Sequence, residues 1–451
     1  MNARRTAYEL LTAVDEQDSY ANLAMPKLLD RAALSSRDAA FATELGYGTL
    51  RWQGFYDLVI DELSSRPAAQ LDAPVRRTLR LGLHQLLSMR LPPHAAVGET
   101  VTLAKQVGVR SASGMVNAIL RRAAEHPLSW WQDRVARGRS GVAALAARNA
   151  HPEWIAQSFA DSLGERADEL AALLEADNEN PAVNLVSLPG IGPEPTTLGE
   201  PNRYSPCGAR AAAGNPTQQT AQRGVRVQDE GSQLAALALS RARPAAPGEL
   251  WLDVCAGPGG KAALLAAEAR LAGATLLANE LAEHRVGLVR SALRDVDPNV
   301  EVRQADGRAI AESPGTFDRI LLDAPCSGLG ALRRRPEARW RKTEADLRGL
   351  SALQSELLNA ALVALKPGGI LAYVTCSPHL AETTEIVRHV LHTGVSGRPV
   401  RALDTAELLD QISLRPLNAA VSLDPGSSGT AVQLWPHRHG TDAMFIALLS
   451  S

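Results

Sequence analysis

Glu249-Leu250-Trp251-Leu252-Asp253-Val254-Cys255-Ala256-Gly257-Pro258-Gly259-Gly260-Lys261, continued by AALLAAEA (262–269), falls into three parts. ELWLDV is a short, bulky apolar run of strand length, CAGPGGK is a glycine-rich turn, and AALLAAEA is helix-forming. Strand, glycine turn and helix in that order open a nucleotide-type site. The glycines let backbone N–H groups approach a ligand, and the helix N-terminus favours negative charge. Gly257, Gly259 and Ala262 satisfy G-x-G-x-x-A, and Glu280 ends the next strand about where a ribose-binding acid belongs, so a nicotinamide enzyme fits this spacing. A Walker loop does not fit: Cys255 stands where the first glycine should be, and Ala262 replaces the Ser or Thr needed for magnesium.

Further strand-like runs follow, ATLLAN, VEVRQ, FDRILLD and GGILAYVT, each separated by a helix-like stretch. That alternation predicts an α/β domain over residues 226–451, Rossmann-like, with a mostly parallel sheet. VQLWP and MFIALL near the C-terminus suggest a closing antiparallel hairpin. Upstream the pattern is different. Apolar residues recur at helical spacing from Arg4 to about Glu125, as in Tyr8, Leu10, Leu11 and Val14 and again in VRRTLRLGLHQLLSM, predicting an all-helical domain over 1–130. Its last helix, SGMVNAILRRAAE, starts at serines suited to capping. Pro152 and Glu153 open a further helical passage to about Asp177, and Gly, Pro, Thr and Asn dominate from Pro189 to Gly224. Residues 145–225 therefore form a linker and a small α+β subdomain with short strands.

In an open parallel sheet, ligands bind outside the carboxyl ends of the strands. The strand ends here carry Asp253 with the glycine loop, Glu280, Asp306 in QADGR, Asp323 in DAPCSG and Cys376 in TCS. Of the four cysteines, Cys207 and Cys255 are expected to be small buried hydrophobes. Cys326 and Cys376 each follow a strand in a turn of small residues, where a thiol is exposed at the mouth of a site. Hydride transfer has no use for two such thiols, whereas methylation at C5 of cytosine needs one. A thiolate adding at C6 makes C5 nucleophilic, an acid at N3 stabilises the ring charge, and a base then removes the C5 proton so that the thiol leaves. Asp323, Cys326 and Cys376 supply those types, and on chemistry alone either cysteine could attack.

The strings VQDEGSQ, DVCAGPGGK, ANE, ADGR, DAPCSGLG, RRRPEARW, TCS and HGTD, in that order, resemble the Sun/Fmu family of bacterial small-subunit rRNA cytosine-C5 methyltransferases. The helical stretch ending in VNAILRR resembles the NusB-type RNA-binding domain that this family carries. The resemblance implies S-adenosylmethionine as cofactor and 16S rRNA as partner. It gives attack at C6 to Cys376, resolution of the covalent adduct to Cys326 and the cytosine edge to Asp323. It also implies that Cys255, Ala256, Gly257, Pro258, Gly259, Gly260 and Lys261 hold the methionine part of the cofactor, Glu280 its ribose and Asp306 its adenine side, with Asp323 at the same pocket; Lys261 would reach the target base.

A formal charge of −2 means that any RNA must be held by local basic patches. Arg333, Arg334, Arg335, Arg339, Arg341 and Lys342 face one acid, Glu337, directly after the catalytic loop, with Trp340 available to stack. Arg4, Arg5, Arg121 and Arg122, with Arg76, Arg77 and Arg80, are candidates for a second footprint. His437 and His439 lack a cysteine or acid at ligand spacing, so no metal is expected. At 45% hydrophobic and 21% charged residues, with no long apolar segment and no CxxC pair, the chain is expected to be a cytoplasmic monomer without a membrane span. Two other classes stay open, a nicotinamide oxidoreductase favoured by the glycine loop and a non-catalytic NusB-like RNA-binding factor.

Overall fold

A computed structural model describes residues 2–211, 217–423 and 429–451. The chain forms two compact units, one of Met1–Asn180 with Leu332–Lys342 and the other of Pro181–Ala331 with Thr343–Ser451.

The first unit is helical. Its opening helix Ala3–Glu16 is capped by the Asn2 side chain, which accepts the Arg5 N–H, and buries Ala7, Leu10, Leu11 and Val14. Those positions lie on one face at helical spacing, and they pack with Leu45, Leu50, Leu81 and Leu103 in one apolar cluster. Gly46 permits the approach, because a Cβ there would lie 2.7 Å from a Leu10 methyl. The long helix Ser36–Leu63, capped by Ser35, supplies Phe55, Tyr56, Val59 and Ile60 to a second cluster with Leu79, Leu83, Leu120 and Trp131. The helix Ser113–Ala123 is present, but the expected serine cap is not. Its N-terminus runs on from a short 3-10 turn, Arg110–Ala112, and the Ser113 hydroxyl turns back to the Arg110 carbonyl. Helices Glu153–Leu163 and Leu170–Ala176 complete the predicted helical passage.

The second unit holds two sheets. The smaller is formed by β1 (Asn184–Ser187), β2 (Gly199–Pro201), β3 (Gly208–Ala211) and β4 (Val225–Val227), all antiparallel, in the order β2-β3-β1-β4. The larger contains β5 (Leu250–Asp253), β6 (Thr275–Glu280), β7 (Glu301–Gln304), β8 (Phe317–Asp323), β9 (Leu365–Thr375), β10 (Arg401–Ala402), β11 (Ala420–Ser422), β12 (Thr430–Gln433) and β13 (Phe445–Ser450). Its order is β11-β12-β13-β9-β8-β5-β6-β7, with β10 paired to β13. Strands β5 to β9 are mutually parallel, and β10 to β13 add antiparallel pairs. The hairpin expected from VQLWP and MFIALL is the pair β12 and β13.

The apolar runs of the central strands are buried on both faces, as a covered parallel sheet requires, whereas the edge strand β7, read from VEVRQ, is largely exposed. Alternate residues Trp251, Leu321, Ala372, Val374, Ile446 and Leu448 pack on one side with helices Glu230–Ser240 and Gly260–Ala272. Leu252, Ile320, Leu322, Leu371, Tyr373, Phe445 and Leu449 pack on the other with helix Glu344–Ala364. No helix among the described residues is long and apolar enough to cross a membrane.

Candidate active site

Strand β5 has β6 on one side and β8 on the other, so the chain reverses its direction of travel across the sheet at Asp253. That is the switch point at which a crevice opens in such folds. The glycine loop fills its floor. The Ala256 N–H bonds the Asn279 carbonyl, and Gly259, with φ +109, starts helix Gly260–Ala272. A side chain at Gly259 would strike the Ala292 methyl at 2.5 Å. At Gly257 a Cβ would lie 2.2 Å from Glu280 Oε2, the same oxygen that accepts the Gly257 N–H at 2.9 Å. Glu280 Oε1 accepts the Ala282 N–H, and Arg285 stands 3.6 Å from the carboxylate. Glu280 is thus fixed at the end of β6. Asp306 follows β7, caps the next turn through the Arg308 N–H and is held below the usual carboxylate range by its hydrogen bonds to Arg308.

Lys261 leaves the loop and places Nζ 2.8 Å from Asp323 Oδ2 at the end of β8. Burial opposes its charge, but the adjacent Asp323 outweighs this and the ammonium is held above its ordinary range. Asp253 lies beside the pair at 1% exposure, with Oδ2 lacking a hydrogen-bond partner. Burial, then the charge of Asp323, pushes its carboxyl up to about 8. One ammonium therefore sits among two carboxyls, and the inner one holds its proton near neutrality.

Strands β8 and β9 are parallel neighbours, with Asp323 opposite Val374. This brings the two cysteine turns together: Cys326 and Cys376 Sγ are 3.4 Å apart. The turns are further joined by the Gly330 N–H to the Cys376 carbonyl at 2.9 Å. Cys326 is held well above the usual thiol range by its hydrogen bond with Cys376, then by burial. Cys207 and Cys255 lie apart from this pair in character. Burial pushes Cys207 up to about 11 and Cys255 higher still, so neither is suited to act as a thiolate.

Three features were not signalled by sequence. The Lys261–Asp323 pair depends on which strands are neighbours. The buried Glu382 binds Ser327 and Gln354 over the Cys326 turn. Ser327 and Ser377 hydroxyls meet at 3.2 Å between the two turns. A buried polar side chain three or more residues from a strand end has no local sequence signature.

The sequence profile of 16S rRNA methyltransferase RsmB/F matches residues 243–450, and that of the NusB family matches residues 1–125. A candidate methyltransferase of Mycobacterium tuberculosis is 46% identical over 99% of this chain and 96% of its own. Ribosomal RNA small subunit methyltransferase B of Pseudomonas putida is 34% identical over 87% and 89%, respectively. This chain belongs to the RsmB/F methyltransferase family. The RsmB/F fold also matches the crystal structure of PH0851, with a TM-score of 0.75 at 22% identity over 100% of this chain and 98% of that one. The NusB match covers the helical domain, and the parallel sheet with the glycine loop lies within the methyltransferase match.

The basic residues of this RsmB/F chain divide into two groups, and for some of them the expected RNA contact is overturned. Arg339 is fully buried in the helical unit. Its guanidinium donates to the carbonyls of Ala150 (3.0 Å) and Asp177 (3.1 Å) and to Asn178 Oδ1 (2.9 Å). Arg333 is buried, and its carbonyl accepts from Arg51. Trp340 does not stand free to stack on a base. It packs over Gly54 and donates Nε1–H to the Leu50 carbonyl. Arg77 and Arg80 are likewise buried and engaged by Glu16 and Asp57. The run looks like an electrostatic patch in sequence because the carbonyls that need it come from distant helices. Arg334, Arg335, Arg121 and Arg122 are exposed, while Arg4 bonds Gln85 and Arg5 bonds Glu9. His439, in the short helix Pro436–His439, is buried with both ring nitrogens on backbone groups.

Proposed function

We propose that this chain transfers a methyl group from S-adenosylmethionine to C5 of a cytosine in 16S rRNA, with Cys376 adding to C6 and Cys326 serving its release. The observation that carries this reading is the pair of thiols 3.4 Å apart at neighbouring strand ends, beside the Lys261–Asp323 ion pair. Relatives at 32% and 34% identity over most of the chain, named ribosomal RNA small subunit methyltransferase B, support the substrate class.

The residues present fit the cofactor. Gly257 lies against Glu280 with no room for a Cβ, which holds the loop backbone and that acid together, and the buried Asp253 carboxyl has Oδ2 still without a partner. Residues Cys255–Lys261 would hold the methionine part, Glu280 the ribose hydroxyls and Asp306 the adenine side. When bound, S-adenosylmethionine supplies an electrophilic methyl group, which cytosine C5 is too weak a nucleophile to accept unaided.

A lone pair on Cys376 Sγ forms the bond to C6, and the C5=C6 π pair is displaced through the ring toward N3. Asp323 holds the cytosine edge, and the Lys261 ammonium that it anchors offsets the negative charge that develops toward N3. C5 takes the methyl, Cys326 as thiolate accepts the C5 proton, the freed C5–H pair restores the C5=C6 bond as the S–C6 bond breaks, and the pair of that broken bond returns to Cys376. The base must leave its stack to reach the two turns. Exposed Arg334, Arg335, Arg121 and Arg122 are the candidate phosphate contacts.

The test is to incubate the protein with radiolabelled S-adenosylmethionine and 16S rRNA. Cys376→Ala should abolish labelling, and Cys326→Ala should accumulate a covalent protein–RNA adduct. Full labelling by Cys376→Ala overturns the assignment.

A further inference from the structure

One carboxylate above the ends of β8 and β9 has no part in the reaction just described. Glu382 is fully buried. Its Oε1 accepts the Ser327 N–H at 2.7 Å and Gln354 Nε2–H at 3.2 Å, and its Oε2 accepts the Ser327 hydroxyl at 2.5 Å. Three neutral donors converge on the two oxygens, the acceptor-only pattern of an ionised carboxyl. Gln354 also binds the Pro325 carbonyl at 2.9 Å, and Tyr373 O–H binds the Glu382 carbonyl at 2.9 Å. Ser327 carries the chain on to Ser377, the residue after Cys376. Glu382 therefore grips the Cys326 turn from above and is tied through two hydroxyls to the Cys376 turn. Burying a charge on neutral partners alone is costly, so its field falls on whatever lies nearby.

We propose that Glu382 is the positioning residue that divides the work between the two thiols: it clamps the Pro325–Gly328 turn against Cys376 and sets a negative charge beside Cys326, so that Cys326 stays a neutral thiol donating to a Cys376 thiolate. The inference rests on the assignment of attack to Cys376. The groups facing Cys326 are Cys376, Glu382, Asp323 with its partner Lys261, and Tyr373. The hydrogen bond with Cys376, burial, and then the charges of Cys376, Glu382 and Asp323 all hold Cys326 protonated. Burial above all, with the charge of Glu382 adding to it, keeps Tyr373 protonated as well. The arrangement also orders the steps. Once Cys376 Sγ bonds to C6, its charge has moved into the ring, and the hydrogen bond that kept Cys326 protonated is gone. Cys326 then becomes easier to ionise after attack and not before, when release needs a base.

The experiment follows the pH dependence of iodoacetamide alkylation at Cys326, read by peptide mass spectrometry, in Cys376→Ser and in Cys376→Ser with Glu382→Gln. With the charge removed, the midpoint should fall by about one pH unit, while melting temperature and S-adenosylhomocysteine affinity hold. An unmoved midpoint in the folded variant overturns the proposal. Ser327→Ala keeps the charge, so its midpoint should match the Cys376→Ser parent, and a fall as large as that of Glu382→Gln overturns the role of the charge. Should Glu382→Gln fail to fold, the unsubstituted chain decides. Near neutral pH, Cys376 should alkylate at least about tenfold faster than Cys326, and the reverse order overturns the proposal. Methyl transfer retained by Cys376→Ala would sink the reaction assignment without altering any of these alkylation midpoints.

Discussion

Replacing Arg339 by methionine separates a structural arginine from an RNA-binding one. The side chains are of similar length, so the change removes the guanidinium and little volume. In the helical unit it deprives the Ala150 and Asp177 carbonyls and Asn178 Oδ1 of their donor, all at 2.9–3.1 Å in a fully buried site. It also takes from the carboxylate of Asp177, 1% exposed with Oδ1 unpartnered, one of its two nearby arginines, leaving Arg51. Each buried acceptor left bare costs about 1–3 kcal/mol, offset in part because the guanidinium no longer has to be desolvated. The net loss should be about 3–5 kcal/mol, the range found when one partner of a buried charged arrangement is removed. Against a total domain stability of about 5–15 kcal/mol this is about a fifth or more, and urea unfolding followed by tryptophan fluorescence resolves it easily. The RNA affinity of the folded variant should keep its salt dependence. A stability loss below about 1 kcal/mol, together with a salt slope reduced by about one phosphate contact, would refute the reasoning.

Gly54→Ala should destabilise the helical unit even though alanine favours a helix by about 1 kcal/mol, because the new Cβ would lie 2.2 Å from the Trp340 indole; a raised melting temperature would contradict it. Gly257→Ala drives a methyl into Glu280 and should weaken S-adenosylmethionine binding in a titration by about tenfold or more; undiminished affinity would contradict it. Burial holds His151 down at about 4, against 6.5 for the ordinary side chain, so the unfolded chain takes up this proton first as the pH drops. Stability from this group is complete above about pH 6.5 and is lost progressively toward pH 4, by up to about 3 kcal/mol, and His151→Asn should flatten that part of a melting-versus-pH curve. Lys261→Met leaves Asp253 and Asp323 facing each other without a cation and should cut methyl transfer by about a hundredfold or more, measured as label incorporated into 16S rRNA.

The middle of the sheet was legible because its central strands are buried on both faces and so write themselves as apolar runs: FDRILLD coincides with β8 residue for residue. The glycine loop and Cys376 followed from their places after such runs. The Arg333–Lys342 segment was misread because periodicity and charge are local signals, whereas the acceptors for Arg339 lie at Ala150, Asp177 and Asn178, more than 150 residues earlier in the chain. Glu382 was overlooked for a related reason. Nothing in PHLAETTE marks one of two glutamates as buried, and its partners are set by the packing of helix Glu344–Ala364 under the Cys326 turn. The closeness of the two thiols needed the strand order, since sequence places both cysteines after strands without making those strands adjacent.

The helical unit is not a continuous piece of chain. Leu332–Lys342 belongs to it, although 151 residues of the other unit (181–331) come between. On the ribosome the N-terminal helices must wait for that last segment, since Trp340, Arg339 and Glu337 supply part of their interior bonding. At about 5–20 residues per second, the wait lasts on the order of ten to thirty seconds. A nascent chain ending near residue 180 therefore has a gap in its core, open to chaperones or proteases, and the unit that begins synthesis first is completed only after most of the other has been made.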